Sequence, residues 1–429
     1  MSREAGASRS EPLGVDPGEG PENAAFHAVV GLGADGDGLV ETPAGPVYVP
    51  GALPGDRVAI VDGRPGSIQF SKDAKRRLEP LCPHFGRCGG CTLQHMRDDL
   101  YLTWKANLLR DALRSHGIDA EPSRMLSVPP FSRRRAVLAA RRDGHAIELG
   151  FHARRSHSIE SIEACVVLTR PIVAGLGGIR ALASLLMSRK SEARVTVIDT
   201  PHGLDVDFSG GKASFSADAR TAVVAAANQH RLARLSVDGV PMLTRTTPSL
   251  IMAGVPVVPP PGAFVQAAAE AEATIGSVAI AAVGKAKRVA DLFSGLGTFT
   301  FALAARSLVL AIDSDRRLIA ALDDAARKAT GLKPIETKVR DLFHDPLSPR
   351  ELDNIDAVLF DPPRAGAKAQ AEALAKSKVR TVVAVSCNPA TLARDLAILI
   401  DGGYRLDSVT PVDQFLYTPH LEAVAVLRR

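Results

Sequence analysis

The sequence predicts an α/β fold whose C-terminal half is an open, doubly wound sheet preceded by smaller domains. Three apolar runs carry this prediction, each ending in a chemically distinctive turn. Arg288-Val-Ala-Asp-Leu-Phe293 runs into Ser294-Gly295-Leu296-Gly297. Ile355-Asp-Ala-Val-Leu-Phe360 ends in Asp361-Pro362-Pro363-Arg364, and Thr381-Val-Val-Ala-Val-Ser386 ends in Cys387-Asn388-Pro389. Open α/β sheets bind ligands at the carboxyl ends of their strands. A glycine turn, a carboxylate and a thiol at three such ends therefore outline an enzyme site.

At 429 residues the chain exceeds one hydrophobic core, so two or three domains are expected. Hydrophobic residues make up 46% and charged residues 23%, an ordinary balance for a soluble globular protein. No window offers the ~20 uninterrupted apolar residues of a membrane helix. Residues 1–24 are rich in Gly, Pro, Ser and Glu and lack a signal-peptide apolar stretch. They read as a disordered lead, and the protein as cytoplasmic. Net charge is +5, with Lys75-Arg76-Arg77, Arg133-Arg134-Arg135, Arg141-Arg142 and Arg154-Arg155 all between positions 75 and 155. This clustering points to an anionic partner, although solvated faces would look the same. Aromatic content is only 4%, which argues against a broad base-stacking platform.

Four of the five cysteines lie in the first half: Cys82, Cys88, Cys91 and Cys165. In a cytoplasmic chain such clustering favours metal binding over disulfides. Three of them crowd the Gly-rich loop Cys82-Pro-His-Phe-Gly-Arg-Cys88-Gly-Gly-Cys91, with the fourth distant in sequence. That spacing suits a [4Fe–4S] cluster on four thiolates better than zinc, whose Cys₄ sites usually form two close pairs. His84 and His95 keep a mixed-ligand zinc site open.

In the C-terminal half, strand and helix signals alternate from about residue 255. The Gly295/Gly297 turn opens the apolar helix Phe299–Ala305, and Ser307-Leu-Val-Leu-Ala-Ile312 reads as a second strand ending in Asp313. Asp313 lies 18 residues beyond Gly295, near the offset at which nucleotide folds place a ribose-binding carboxylate. No lysine follows the glycines, so this is no phosphate-binding P-loop. An adenosine cofactor without phosphates fits, and S-adenosylmethionine is the obvious one. The prolines of Asp361-Pro-Pro-Arg364 stiffen a turn that fixes the carboxylate over the sheet edge. Amine methyltransferases carry an aromatic residue where Arg364 stands, which argues against amine methylation.

Carbon methylation needs what Cys387 offers. Pyrimidine C5 attacks a methyl sulfonium only after a thiolate has added at C6 to give an enolate. A base must then remove the C5 proton so that the thiolate can leave. Glu422, in Thr418-Pro-His420-Leu-Glu422 ahead of the strand Ala423–Leu427, supplies one; His420, two residues away, is expected to share its strand face.

Taken together, Cys82-x5-Cys88-Gly-Gly-Cys91-x2-Gln94-His95, the Gly295 turn, Asp-Pro-Pro-Arg, Ser-Cys-Asn-Pro and the terminal His-Leu-Glu resemble the RNA uracil-5-methyltransferases. The similarity is greatest to the iron–sulfur-containing branch that modifies 23S ribosomal RNA, and it runs along nearly the whole chain. The resemblance implies a class I, Rossmann-like S-adenosylmethionine methyltransferase domain over residues 251–429. It implies Cys387 as nucleophile and Glu422 as base, with Cys82, Cys88, Cys91 and Cys165 as ligands of a [4Fe–4S] cluster. Gln266, Phe293, Thr298, Asp313, Asp341 and Asp361 are implied around the cofactor, Asp361 also near the base. Val47-Tyr-Val-Pro-Gly51 through Arg57-Val-Ala-Ile60 resembles the small OB-like TRAM barrel, expected over 25–80. A central α+β domain over 81–250 would carry the cluster loop and an arginine-rich RNA surface, with a helix near 98–116 packing on the catalytic domain.

Several positions depart from the family pattern. Phe264-Val-Gln266-Ala-Ala268 lacks the family's Asn, Phe131-Ser-Arg-Arg-Arg135 replaces Tyr-Arg-Asn, and 166–250 matches poorly. The expected activity is methylation of a uridine C5 in 23S rRNA, with tRNA as the alternative target and no protein partner. RNA cytosine-C5 methylation is the enzymatic rival, but Pro362-Pro363 stands where those enzymes carry a second cysteine after a proline. An RNA-binding assembly factor would need none of Cys387, Glu422 and Asp361. A radical enzyme would need a C-x3-C-x2-C loop that is not here.

Overall fold

The computed structural model describes residues 25–73, 75–211 and 217–429; the N-terminal lead lies outside the described residues. The chain divides into two compact units, Met1–Tyr101 with Phe151–Glu160 and Tyr417–Pro419, and Leu102–Gly150 with Ser161–Leu416 and His420–Arg429. Among the described residues no helix is long and apolar enough to cross a membrane.

In the first unit, β1 (Phe26–Leu32), β2 (Gly38–Thr42), β3 (Gly45–Val49), β4 (Arg57–Val61) and β5 (Arg64–Gln69) form an antiparallel sheet of order β3-β2-β1-β4-β5. Val29, Val40, Val49, Ala52 and Val58 fill its core. Register shifts between Val29 and Gly31 and between Val58 and Ile60 curve it, as bulges do. The buried Asp56 carboxylate knits the turn before β4, accepting from Leu53 N and Ser71 N, each at 2.8 Å.

The second unit begins within α1 (Asp98–Arg114), followed by the short β6 (Leu126–Ser127). β7 (Arg135–Asp143), β8 (Ala146–His152), β9 (Ile159–Ser161), α2 (Arg170–Leu186), β10 (Lys190–Thr200), β11 (Gly203–Gly210), α3 (Ala217–Gln229), β12 (Arg234–Val237) and β13 (Val240–Thr244) follow. Their strands form a seven-stranded sheet of order β13-β12-β11-β10-β7-β8-β9. α2 buries Ile172, Leu176, Ile179, Leu182 and Leu186, the i, i+3/i+4 stripe of an amphipathic helix. Residues 166–250, which match the family pattern poorly, thus supply most of this sheet. The hairpin β14 (Leu250–Met252) and β15 (Val255–Val257) leads onward.

The remaining elements are α4 (Ala269–Val283), β16 (Arg288–Leu292), α5 (Thr300–Ala304), β17 (Leu308–Asp313), α6 (Arg316–Lys328), β18 (Ile335–Val339), β19 (Ala357–Phe360), α7 (Lys368–Ala375), β20 (Thr381–Ser386), α8 (Pro389–Asp401), β21 (Arg405–Asp413) and β22 (Glu422–Arg428). Their sheet runs β18-β17-β16-β19-β20-β22-β21-β6, parallel from β18 to β20, with β22 antiparallel between β20 and β21. This is the Rossmann-like α/β sheet that the sequence predicts. β19 and β20 are buried on both faces, which explains their unbroken apolar sequences. Leu109 and Leu113 of α1 join the core of this sheet. Strand order reverses beside β16, so the carboxyl ends of β16, β17 and β19 open the crevice where such folds bind ligands.

Several of the clustered arginines are engaged within the protein. Arg134 is buried; its Nε donates to Gln266 O at 3.2 Å and its Nη2 pairs with Glu272. Arg135 donates to Ala263 O at 2.9 Å, and burial lowers its proton affinity to about 10. Arg142 holds the end of α2 through Ser184 O and Met187 O, and Arg141 pairs with Glu148 and Glu192. Within the first unit, Arg154 and Arg155 both engage Asp37, while Arg77 pairs with Asp56 at 2.5 Å. A guanidinium carries five donors, and here they go to carboxylates and backbone carbonyls of the protein itself. Sequence clustering alone does not separate that role from an RNA-facing one.

Candidate active site

Sheet register brings the expected residues together. β16 pairs with β19 at Leu292–Phe360, so Phe293 and Asp361 emerge side by side, and Asp361 N donates to Leu292 O at 3.2 Å. β20 and β22 pair at Ser386–Ala423, which sets Cys387 and Glu422 at neighbouring register positions. His420 does not share the Glu422 face, contrary to expectation. The strand starts only at Glu422; His420 is exposed in the preceding loop, its ring edge-on to Phe415.

On the cofactor side, Gly295 N donates to Asp313 Oδ2 and Asp315 N to Oδ1, each at 2.9 Å. Gly295 sits at φ +55° with open space where a β-carbon would be. Gly297, at φ +90°, has the Phe301 ring 2.7 Å from that position. One glycine leaves room for a ligand, and the other lets helix and strand pack closely. Phe293 holds φ +59°, a strained setting for a bulky residue, and its ring meets Phe343 at 5.4 Å. Asp341 is exposed beyond β18 and accepts from Phe343 N at 3.0 Å; Thr298 is partly buried in the turn. Open space before Gly295, a partly exposed Asp313 carboxylate and the exposed Asp341 suit an adenosine-bearing ligand.

Two residues that the sequence left unassigned belong to the site. Asp291, buried at the end of β16, accepts from Thr300 Oγ1 at 2.5 Å, while its Oδ1 has no partner. Burial, then the charges of Asp361 and Asp313, raise its pKa to about 7. Gln414, just past β21, donates through Nε2 to Gln266 Oε1 at 2.9 Å and to Glu422 Oε2 at 2.8 Å. Asp291 stood visible in the motif that precedes Gly295. Gln414 had no local signal, because it meets its partners through strand pairing.

Gln266 completes the chain of contacts by donating through Nε2 to Asp361 Oδ2 at 2.8 Å. Burial raises Asp361 to about 7. Glu422 is 2% exposed and is also raised, by burial and then by Asp361; its Oε1 is buried without a partner. A carboxylate oxygen placed so is available to an incoming group. Cys387 is a partly buried free thiol. Burial first, then Glu422 and Asp361, push it up to about 11, against the opposing charge of Arg364. The arrangement sets a thiol and two protonatable carboxyls around one spot.

Of the expected cluster ligands, Cys82, Cys88 and Cys91 belong to the first unit and Cys165 to the second. Among the described residues no three His, Cys, Asp or Glu side chains converge to hold a metal ion. All four cysteines are at intermediate exposure. In the first unit, Gly90 N points at Cys88 Sγ at 3.4 Å, and Gly89 lies against His152, whose carbonyl oxygen would sit 2.5 Å from any β-carbon there. The thiolate donor chemistry suits a soft metal.

The model of the tRNA (uracil-5-)-methyltransferase family matches residues 339–429, the segment that carries Asp361, Cys387 and Glu422. An uncharacterized RNA methyltransferase of Rhizobium meliloti is 46% identical over 406 residues, 93% of this chain and 98% of that one. The 23S rRNA (uracil(1939)-C(5))-methyltransferase of Chromohalobacter salexigens is 32% identical over 93% of this chain and 88% of its own. Among solved structures, the Pyrococcus abyssi tRNA (uracil-54, C5)-methyltransferase with S-adenosyl-L-homocysteine superposes with a TM-score of 0.72. That match covers 94% of this chain and all of the other, and at 22% identity it speaks for the fold alone. With whole-length relatives of this kind and the uracil-5 model lying over the thiol and both carboxylates, the chain belongs to the family of S-adenosylmethionine-dependent RNA uracil-C5 methyltransferases.

Proposed function

We propose that this protein methylates C5 of a specific uridine in 23S ribosomal RNA through a covalent Cys387–C6 adduct resolved by Glu422. The observation that carries the reading is the Cys387 thiol beside a buried Glu422 oxygen that has no partner of its own. Ribosomal RNA is favoured over transfer RNA because the 32%-identical relative is named for it, whereas the tRNA enzyme is similar in fold.

S-adenosylmethionine supplies the methyl group when bound, and Gly295, Gly297, Phe293, Thr298, Asp313, Asp341, Gln266 and Asp361 are the residues to hold it. The chain does the rest. A uridine must leave its stack to expose C6, which is cheapest in loop or single-stranded RNA. Cys387 gives its proton to water and adds as thiolate at C6, and the electron pair moves to C5, which would take the methyl group and leave S-adenosylhomocysteine. Glu422 then removes the C5 proton, the C5–C6 double bond re-forms, and the C6–S bond breaks to return the thiolate. Asp361, which accepts from Gln266, is the group assigned to fix the base.

The iron–sulfur reading stands on the motif and on the amide that faces Cys88, and no step above passes through a metal. The resemblance adds Cys165 as the fourth thiolate. Iron and acid-labile sulfide content of anaerobically purified protein tests it; zinc in their place would replace it. The first unit's curved sheet is proposed as the TRAM-like RNA-binding module, tested by loss of RNA affinity when residues 25–80 are removed.

The test of the reaction is a trap. Protein, S-adenosylmethionine and a 5-fluorouridine-substituted 23S transcript should yield a denaturation-resistant adduct, because fluorine leaves Glu422 no proton to remove. Its absence in Cys387→Ala and its mapping to one uridine would establish the chemistry and the target. A trap formed only on tRNA would move the substrate; no trap on either RNA, with cofactor bound, would sink the mechanism.

A further inference from the structure

Lys105, on α1, is fully buried, and so is Asp413, with which it pairs at 2.5 Å. Its Nζ also donates to Phe415 O at 3.0 Å. Taking an ion pair out of water costs several kcal/mol per ion, and apolar replacements of buried pairs are often neutral or stabilising. Further along α1, Leu109 and Leu113 fill the core with apolar side chains. Packing alone therefore gives no reason for a charge at position 105.

The two groups that Lys105 holds flank a single residue, Gln414. Asp413 precedes it at the end of β21, and Phe415 follows it outside any strand ladder. The Gln414 amide donates to Glu422 Oε2 and to Gln266 Oε1, so its position sets where the partnerless Glu422 Oε1 points. Val412 opposes Glu422 as the last pair of the β21–β22 ladder, and β21 itself ends one residue on, at Asp413. The ammonium holds the Asp413 side-chain carboxylate on one side of the glutamine and the Phe415 backbone carbonyl on the other.

We propose that Lys105 is a positioning residue for proton removal: by clamping Asp413 and the Phe415 carbonyl it fixes Gln414, and through Gln414 it aims the Glu422 carboxylate at the C5 proton. The proposal rests on the covalent mechanism above. It assigns Lys105 no proton transfer and no contact with RNA or cofactor. It separates the two halves of the reaction, since attack by Cys387 and methyl transfer precede the need for Glu422.

The experiment uses the full-length protein with natural and 5-fluorouridine 23S transcripts. Lys105→Met/Asp413→Asn removes both charges together and leaves none buried alone. It should trap on fluorinated RNA within about twofold of wild type, while turnover on natural RNA falls about tenfold or more, within the range of general-base effects. A methylated, denaturation-resistant adduct on natural RNA should accumulate. Gln414→Leu, which keeps the ion pair, should show the same build-up and covers the case in which the double variant fails to fold. Normal turnover by Gln414→Leu, or by a folded double variant, overturns the proposal. Equal loss of trap and turnover without adduct build-up overturns it too, by showing a merely structural role. Glu422→Gln is the control: if it builds up no adduct on natural RNA, the mechanism beneath the proposal is wrong. If it does and the other variants do not, Lys105 positioning alone is wrong.

Discussion

Asp361 and Glu422 are joined by a bridge of two amides, Gln266 on the aspartate and Gln414 on the glutamate, with links of 2.8 to 2.9 Å. Direction is fixed along it: Gln266 gives its NH₂ to Asp361, so its carbonyl must face the NH₂ of Gln414. Gln266 is 4% exposed, and both flanking carboxyls are already raised by burial. Gln266→Glu would insert a third carboxyl of nearly the same shape. Its folded pKa would lie above its unfolded value, so stability is retained at low pH and lost as pH rises through the folded pKa. Thermal unfolding should show a larger loss of Tm at pH 8 than at pH 6; an equal loss at both would mean the bridge is not held between two carboxyls.

Cys387 should react as a protonated thiol until RNA arrives. Burial, Glu422 and Asp361 hold it at about 11, so iodoacetamide should label it slowly near neutral pH and faster toward pH 11. Glu422→Gln removes a charge that raises the thiol and should speed labelling at pH 8. Arg364→Gln removes a charge that lowers it and should slow labelling. Peptide mass spectrometry separates Cys387 from the other four cysteines. Neutral-pH labelling as fast as an ordinary exposed thiol would contradict the site's electrostatics.

Strand ends were legible in the sequence because β19 and β20 are buried on both faces and then break into Asp-Pro-Pro and Cys-Asn-Pro. Glu422 was legible as a carboxylate opening an apolar strand. Side chains whose meaning depends on distant partners were not. Lys105 and Gln414 look like ordinary surface residues until α1 and β21 are brought together, 308 positions apart for Lys105 and Asp413. The arginines were ambiguous for the same reason: whether a guanidinium faces phosphate or a buried carboxylate is decided by tertiary packing. His420 failed on a smaller point, since a two-residue shift in where a strand begins removes a residue from its face.

Asp291 carries a pH signature of its own. Its carboxyl is about 7 in the fold against 3.8 as the ordinary value. With the folded value raised, its contribution is fully present below about 3.8 and lost as pH climbs through about 7. Asp291→Asn keeps an acceptor for Thr300 and carries no charge at any pH. It should therefore stabilise more at pH 8 than at pH 5, by an amount on the order of a few kcal/mol. Denaturant midpoints at the two pH values decide it, and a variant equally stable relative to wild type at both would refute the assignment.

Arg134 offers the sharpest separation of structural from RNA-binding charge. Its guanidinium holds Gln266 O and Glu272, and only 8% of the residue is exposed. Arg134→Met breaks a buried pair and leaves Glu272 without its counter-charge, a loss on the order of 3–5 kcal/mol. Cofactor affinity should fall with it, because the Gln266 loop loses its anchor. RNA affinity should keep its dependence on salt, since no phosphate contact is removed. An arginine that touches phosphate would instead lower the slope of log K against log salt by about one. Titrating RNA binding across salt concentrations at a temperature where the variant stays folded tests this. A slope reduced by one would return Arg134 to the RNA surface from which its burial removes it.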